Sequence, residues 1–307
     1  MTTAAGRLAP VKRVETQTLD VSYYEAGPGE GTVVILLHGF PYDIHSYIEV
    51  APRLAREGYR VIVPYLRGHG GTRFVDAGAT RSGQQAALGM DVVELMDALG
   101  IERAILAGYD WGGRAACVVA ALQPDRVAGL VSVNGYLIQD IAAARKPLAP
   151  ALEAGFWYFF YFLTERGISG LTENARDLAE VIWRRNSPAW PFDAAALERA
   201  AEAFGNPDYV DVVIHSYRHR LGEALGASEY EADEARLADM PVIEVPTVTL
   251  DGTADGNFPA TDGTTGAVHF SGPRIHRQVA NAGHNLPQEA PVAFVQAIRD
   301  VDSLAQN

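Results

Sequence analysis

A chain of 307 residues that is 48% hydrophobic can bury a full core and is long enough for one large α/β domain with an insertion, or for two domains. Its formal net charge of -13 argues against a nucleic-acid surface, which needs clustered Lys and Arg, and its single cysteine, Cys117 in "AACVVAA", excludes an intramolecular disulfide. The start "MTTAAGRLAP" lacks the apolar core of a signal peptide, and the longest aliphatic run, "VVILL" at 33–37, is far too short to cross a bilayer, so a cytoplasmic setting is expected.

In chain order, residues 11–26 read as an antiparallel hairpin at a sheet edge. "TVVILL", "YRVIVPY", "RAILAGY", "VAGLVSVNG" and "VPTVTLDG" are β-type, and they alternate with the helical "GQQAALGMDVVELMDALG" and "GGRAACVVAALQ". That alternation predicts a mostly parallel sheet with helices on both faces. From about 136 to 242 the strands vanish and aromatic-rich helical segments take over, including Trp157, Trp183 and Trp190. This predicts a helical cap, 136–242, inserted into a core formed by 1–135 and 243–307. Such a cap would cover the strand ends where α/β proteins place their sites.

Four segments carry chemistry. "LLHGFP" (36–41) is by itself a bent turn. In "LAGYDWGGRAA" (106–116) Gly108 and Gly112 frame Asp110 between a strand and a helix; alone, an Asp there reads as an N-cap. "TVTLDGTADGNFP" (247–259) ends a strand in acidic turn residues, and "VANAGHNLPQEAP" (279–291) places His284 in a loop before the last helix. Nucleophile, acid and histidine then fall in the order of an α/β-hydrolase triad, each just after a predicted strand. No GxSxG occurs, so a serine esterase is disfavoured. A carboxylate in the serine's place is already an anion at pH 7, needs no base for its attack, and suits a saturated carbon carrying a leaving group. The acid has three candidates, Asp251, Asp255 and Asp262. No spacing of His, Cys and carboxylates suggests a metal site, and His45, His215 and His219 read as surface or cap residues.

"HGFP", "LRGHGGT", "GYDWGG", the helical insertion and "GHNLPQEAP" together resemble the epoxide hydrolase branch of the α/β-hydrolase superfamily, over nearly the whole chain. The resemblance implies an α/β-hydrolase fold with a mostly parallel eight-stranded sheet. It implies Asp110 as nucleophile, His284 as base for the hydrolytic water, Asp255 as the acid orienting it, and backbone N–H groups of Phe40 and Trp111 as the oxyanion hole. Tyr158 in "GFWYFFYF" and Tyr217 in "VIHSYRHR" stand where related enzymes carry the two tyrosines that donate to an epoxide oxygen. His38, Pro41, Trp157 and Phe162 are expected to border a small-molecule substrate, His38 also holding the oxyanion turn. No cofactor, nucleic acid or membrane is implied, and a monomer or homodimer is expected.

The chain departs from this pattern at Phe159, where many relatives have glutamine, and at His69 in "LRGHG". Haloalkane dehalogenases also share the "DW" pair. Fluoroacetate dehalogenases share "HGFP" and an arginine at the place of Arg114, with a second arginine where this chain has Trp111. Dehalogenation by the same nucleophile is therefore the alternative chemistry. A hydrolase-fold ligand receptor without activity is the alternative from another class, disfavoured because binding alone does not require a strained elbow.

Overall fold

The computed structural model describes residues 6–306. Nine strands form one sheet: β1 (Val11–Glu15), β2 (Leu19–Ala26), β3 (Val33–Leu37), β4 (Arg60–Pro64), β5 (Arg73–Phe74), β6 (Ala104–Gly108), β7 (Val127–Val133), β8 (Thr247–Gly252) and β9 (Arg274–Val279). Eight of them lie in the order β1-β2-β4-β3-β6-β7-β8-β9, and the two-residue β5 pairs with β2 beside that path. The expected count of eight thus omits only this short strand, which carries no alternating apolar pattern of its own. β1 and β2 form the expected antiparallel edge hairpin, and every pairing from β4–β3 through β8–β9 is parallel.

Burial follows from this order. The central β6 and β8 are buried at every position, because helices cover both sheet faces, whereas the edge strands β1 and β9 are largely open. The core helices are α1 (Val50–Arg56), α2 (Gln85–Ala98) and α3 (Asp110–Leu122), with α10 (Leu286–Glu289) and α11 (Pro291–Ala305) closing the chain. α3 runs against the sheet through the small residues of "GGRAACVVAA", and α2 packs on it where Gly89 meets Val118: a Cβ on Gly89 would lie 2.4 Å from Val118 Cγ1.

Between β7 and β8 the described chain is helical: α4 (Pro150–Gly155), α5 (Trp157–Tyr161), α6 (Glu165–Asn186), α7 (Ala194–Ala201), α8 (Tyr209–Arg220) and α9 (Glu231–Ala238), with short 3₁₀ turns. Register decides what this insertion covers. Leu37 pairs with Gly108, Gly108 with Ser132, and Val133 with Leu250, so β3, β6, β7 and β8 end together. The HGFP turn, the Asp110 elbow and the loop after β8 therefore emerge along one edge, beneath the insertion.

Candidate active site

The elbow is a strained turn. Asp110 has φ +50°, a left-handed conformation that non-glycine residues rarely adopt. The N-cap of α3 is Tyr109; Asp110 opens the helix and caps nothing, which corrects the local reading of an Asp before a helix. The glycine frame has a steric cause: a Cβ on Gly112 would sit 2.0 Å from Leu37 O, and one on Gly39 would sit 2.7 Å from Asp110 Cβ.

Asp110 Oδ1 accepts the Phe40 N–H at 2.7 Å. Its other oxygen, Oδ2, lies 3.7 Å from His284 Nε2, and the opposite ring nitrogen of His284 lies 3.0 Å from Asp255 Oδ2. Asp255 is fully buried and also accepts the N–H groups of Asn257 and Phe258 and the Asn134 amide. These bonds decide between the three acids. Asp251 is taken by Thr261 near His276, and Asp262 caps Thr264 at the surface. The Trp111 N–H, in the first turn of α3, has no partner four residues back within its helix, as an oxyanion donor requires.

The electrostatics of the trio are coupled. Burial raises the Asp110 pKa, but contact with the His284 ring and the Phe40 N–H outweigh it, so the carboxyl is held below its ordinary value. Burial lowers the His284 pKa, and the charges of Asp255 and Asp110 overcome that and raise it to about 10. The raised value favours a protonated His284 ring, set between Asp110 and Asp255. The His284 loop is pinned: its N–H reaches Ser187 Oγ at 3.0 Å, and Ser187 Oγ donates to Glu289 Oε1 at 2.6 Å.

The wall facing Asp110 is aromatic. Tyr158 and Tyr217 from the insertion pack edge to face at 5.4 Å, and Phe40 touches both at 6.2 and 5.3 Å. Phe162 packs on Phe40, Tyr158 and Tyr217. The buried Tyr217 hydroxyl faces the Trp111 indole N–H and the Tyr158 hydroxyl, and these polar groups interact mainly with one another. Burial and the Asp110 charge push both phenol pKa values upward, so they remain protonated donors.

His38 has both ring nitrogens on backbone groups, Nδ1 on Gly39 O and Nε2 on Leu66 N–H, so it braces the turn. Pro41 contributes its carbonyl to the Trp183 indole. Trp157 packs outward on Tyr161 and the edge of Tyr158, and Phe159 instead reaches Tyr217 at 4.6 Å. His45 is a buried partner of Asp43, not a surface residue, and His219 is buried within the insertion. Sequence reading did not single out Ser187, which no motif spacing marks; Phe159 was noted only as a departure from the family pattern and Glu289 only as part of the GHNLPQEAP segment. Among the described residues no group of His, Cys, Asp and Glu could hold a metal ion, and no helix is long and apolar enough to cross a membrane.

This fold and elbow are those of an α/β hydrolase. A family model of the alpha/beta hydrolase fold matches residues 32–177. The chain is 43% identical to a fluoroacetate dehalogenase from a Burkholderia species, over 74% of this chain and 72% of that one. It is 29% identical to epoxide hydrolase A of Mycobacterium tuberculosis, over 94% and 96%. It also superposes with a TM-score of 0.95 on the crystal structure of a candidate epoxide hydrolase from Klebsiella pneumoniae, at 48% identity over 98% of this chain and 100% of that one. The chain belongs to the α/β-hydrolase family.

Proposed function

We propose that the protein opens an epoxide to a vicinal diol through an ester on Asp110, with residues 136–242 serving as the cap that closes the site. The observation that carries this reading is the pair of phenols, Tyr158 and Tyr217, set together opposite an aspartate nucleophile. Asp110 attacks an epoxide carbon; that C–O bond breaks, and the oxygen receives a proton from a phenol. The phenolate left behind regains its proton from the one that His284 releases, because esterification removes the Asp110 charge that helped hold it. Neutral His284 then takes a proton from water, which attacks the Asp110 carbonyl while the Phe40 and Trp111 N–H groups hold the oxyanion. Collapse frees the diol and restores carboxylate and imidazolium.

A second reading, release of halide from a haloacid, is favoured by the buried Trp111 indole N–H beside the Tyr217 hydroxyl and by the fluoroacetate dehalogenase relative. Assay of styrene oxide and aliphatic epoxides for diol, beside fluoroacetate and chloroacetate for halide, tests both. Diol is expected; halide without diol would replace the epoxide reading with the second.

A further inference from the structure

A cleft of about 430 Å³ lies where the turn after β7 and the loop between β8 and β9 meet α4, and Asp110, Tyr158 and Tyr217 do not border it. Its insertion side is apolar. Leu148 and Leu152 line it while 52% and 36% exposed, and Phe156 joins them.

Its core side is polar and short of donors. Asp251 Oδ2 accepts the N–H and the hydroxyl of Thr261, both at 2.8 Å, while Oδ1 receives no hydrogen bond from a described residue. His276 is fully engaged, one ring nitrogen with Thr249 Oγ1 at 2.9 Å and the other with the Thr261 carbonyl at 3.0 Å. Asn257, 3% exposed, has neither amide atom paired among the described residues, and Asn134 Oδ1 is likewise buried without a donor. Carboxylate and amide oxygens with unclaimed acceptor capacity thus gather around one cleft, opposite an apolar wall.

Unpaired buried acceptors are costly, so the arrangement selects an occupant that donates hydrogen bonds and carries an apolar body to cover Leu148, Leu152 and Phe156. An ammonium donates but cannot accept from Asn257 Nδ2. A vicinal diol does both.

The same residues hold the acid and base from behind. The Asn257 and Phe258 N–H groups bind Asp255 Oδ1 at 2.8 and 3.0 Å, the Asn134 amide binds Asp255 Oδ2 at 3.3 Å, and the Phe258 ring stacks on the His284 ring at 5.7 Å. A ligand bonded to Asn134 and Asn257 pulls on the groups that align Asp255 and, through it, His284; displacement from that alignment slows the step His284 serves.

We propose that this cleft is a second ligand site, for a vicinal diol on an apolar body, whose occupancy slows ester hydrolysis. That such a diol is the protein's own product rests on the epoxide reading, while binding at the cleft is measured without turnover.

The probe is 1-phenylethane-1,2-diol, and its dimethyl ether is the match without donors. Calorimetry on wild type is expected to show a diol site that the ether fills at least about tenfold more weakly. Leu152→Trp, which fills the cleft, should abolish that site, and Asp251→Asn should weaken it about tenfold, as a hydrogen bond to a charged acceptor becomes a neutral one. Leu152 is half-exposed, so its variant carries the test if Asp251→Asn fails to fold. Ester already formed on Asp110 occupies the nucleophile's own site, so a diol that slows its hydrolysis acts from elsewhere. With whichever substrate wild type consumes, epoxide or haloacid, saturating diol should slow that phase by about fivefold, the lower end of coupling between sites, and should not do so in Leu152→Trp. Diol that slows only ester formation, by competing with substrate, or diol binding unaltered in Leu152→Trp, would overturn the second site. Equal affinity for the dimethyl ether would overturn the diol chemistry. Slowing through the cleft with halide as the only product would uphold the site and reject the epoxide reading alone.

Discussion

At the scale of single residues, the proposed mechanism divides into two half-reactions that different side chains serve. In it, His284 acts as base only after the ester exists. His284→Gln is therefore expected to accumulate it, detected by mass spectrometry on the peptide containing Asp110. The adduct mass also reports the chemistry: an epoxide adds its whole mass, whereas a haloacid adds its mass less that of the hydrogen halide. An absence of adduct with a substrate that wild type consumes would reject the two-step scheme. The phenols belong to the first half. Tyr158→Phe and Tyr217→Phe should each slow ester formation by about 10² to 10³, as for loss of one preorganised donor, with little effect on hydrolysis of ester already formed. Stopped-flow kinetics separate the two phases; an equal slowing of both would assign the tyrosines to packing.

The residue scale is also where the sequence was most and least informative. Asp110 and His284 are legible because a strand, a glycine frame and chain order converge on them. Asp255 is one of three aspartates within twelve residues, and only the bonds from Asn257, Phe258 and His284 separate it from Asp251 and Asp262. Phe159 lies on a helix whose rotation is set by tertiary packing. A run of seven aromatics has no polar face from which that rotation could be read.

Among elements, the loop before α10 positions the base through a contact from the insertion. Ser187, just past α6, accepts the His284 N–H and donates to Glu289 on α10. Burial raises the Glu289 pKa, opposed by Ser187 and the Gly283 N–H. Ser187→Ala removes the hydroxyl that joins the two, and it should slow ester hydrolysis by about tenfold to a hundredfold through misplacement of the ring, with ester formation affected less. Single-turnover measurements of the two phases check this, and an unchanged hydrolysis phase would show that the loop holds His284 without Ser187. The sheet elements were readable because buried parallel strands leave unbroken aliphatic runs. The two-residue β5 and the number of helices in the insertion were not, since short helices joined by 3₁₀ turns leave no long periodic signal.

For the whole molecule, the raised His284 pKa ties stability to pH. The folded pKa of His284, about 10, lies above the ordinary 6.5, so its contribution is fully present below pH 6.5 and is lost as pH rises through about 10. Thermal unfolding from pH 6 to 10.5 should show the wild type losing stability relative to His284→Gln across that window. Taking the difference cancels other titrations, including that of Arg114, whose depressed pKa works in the opposite direction. A constant difference would show that His284 rests uncharged.

The insertion leaves the sheet at the end of β7 and returns at the start of β8, strands that are hydrogen-bonded neighbours with Leu130 beside Thr247. Val133 ends β7 three residues past Leu130, so the two attachment points lie three residues apart along the sheet and one strand spacing apart across it. An insertion attached in this way can change in length while the strands below keep their register. Asp110, Asp255 and His284 come from turns at the strand ends of that sheet, and Tyr158 and Tyr217 come from the insertion. Such a division lets a lineage change what it accepts without rebuilding how it reacts, and it makes chimaeras joined at these two strands a direct route to new selectivity.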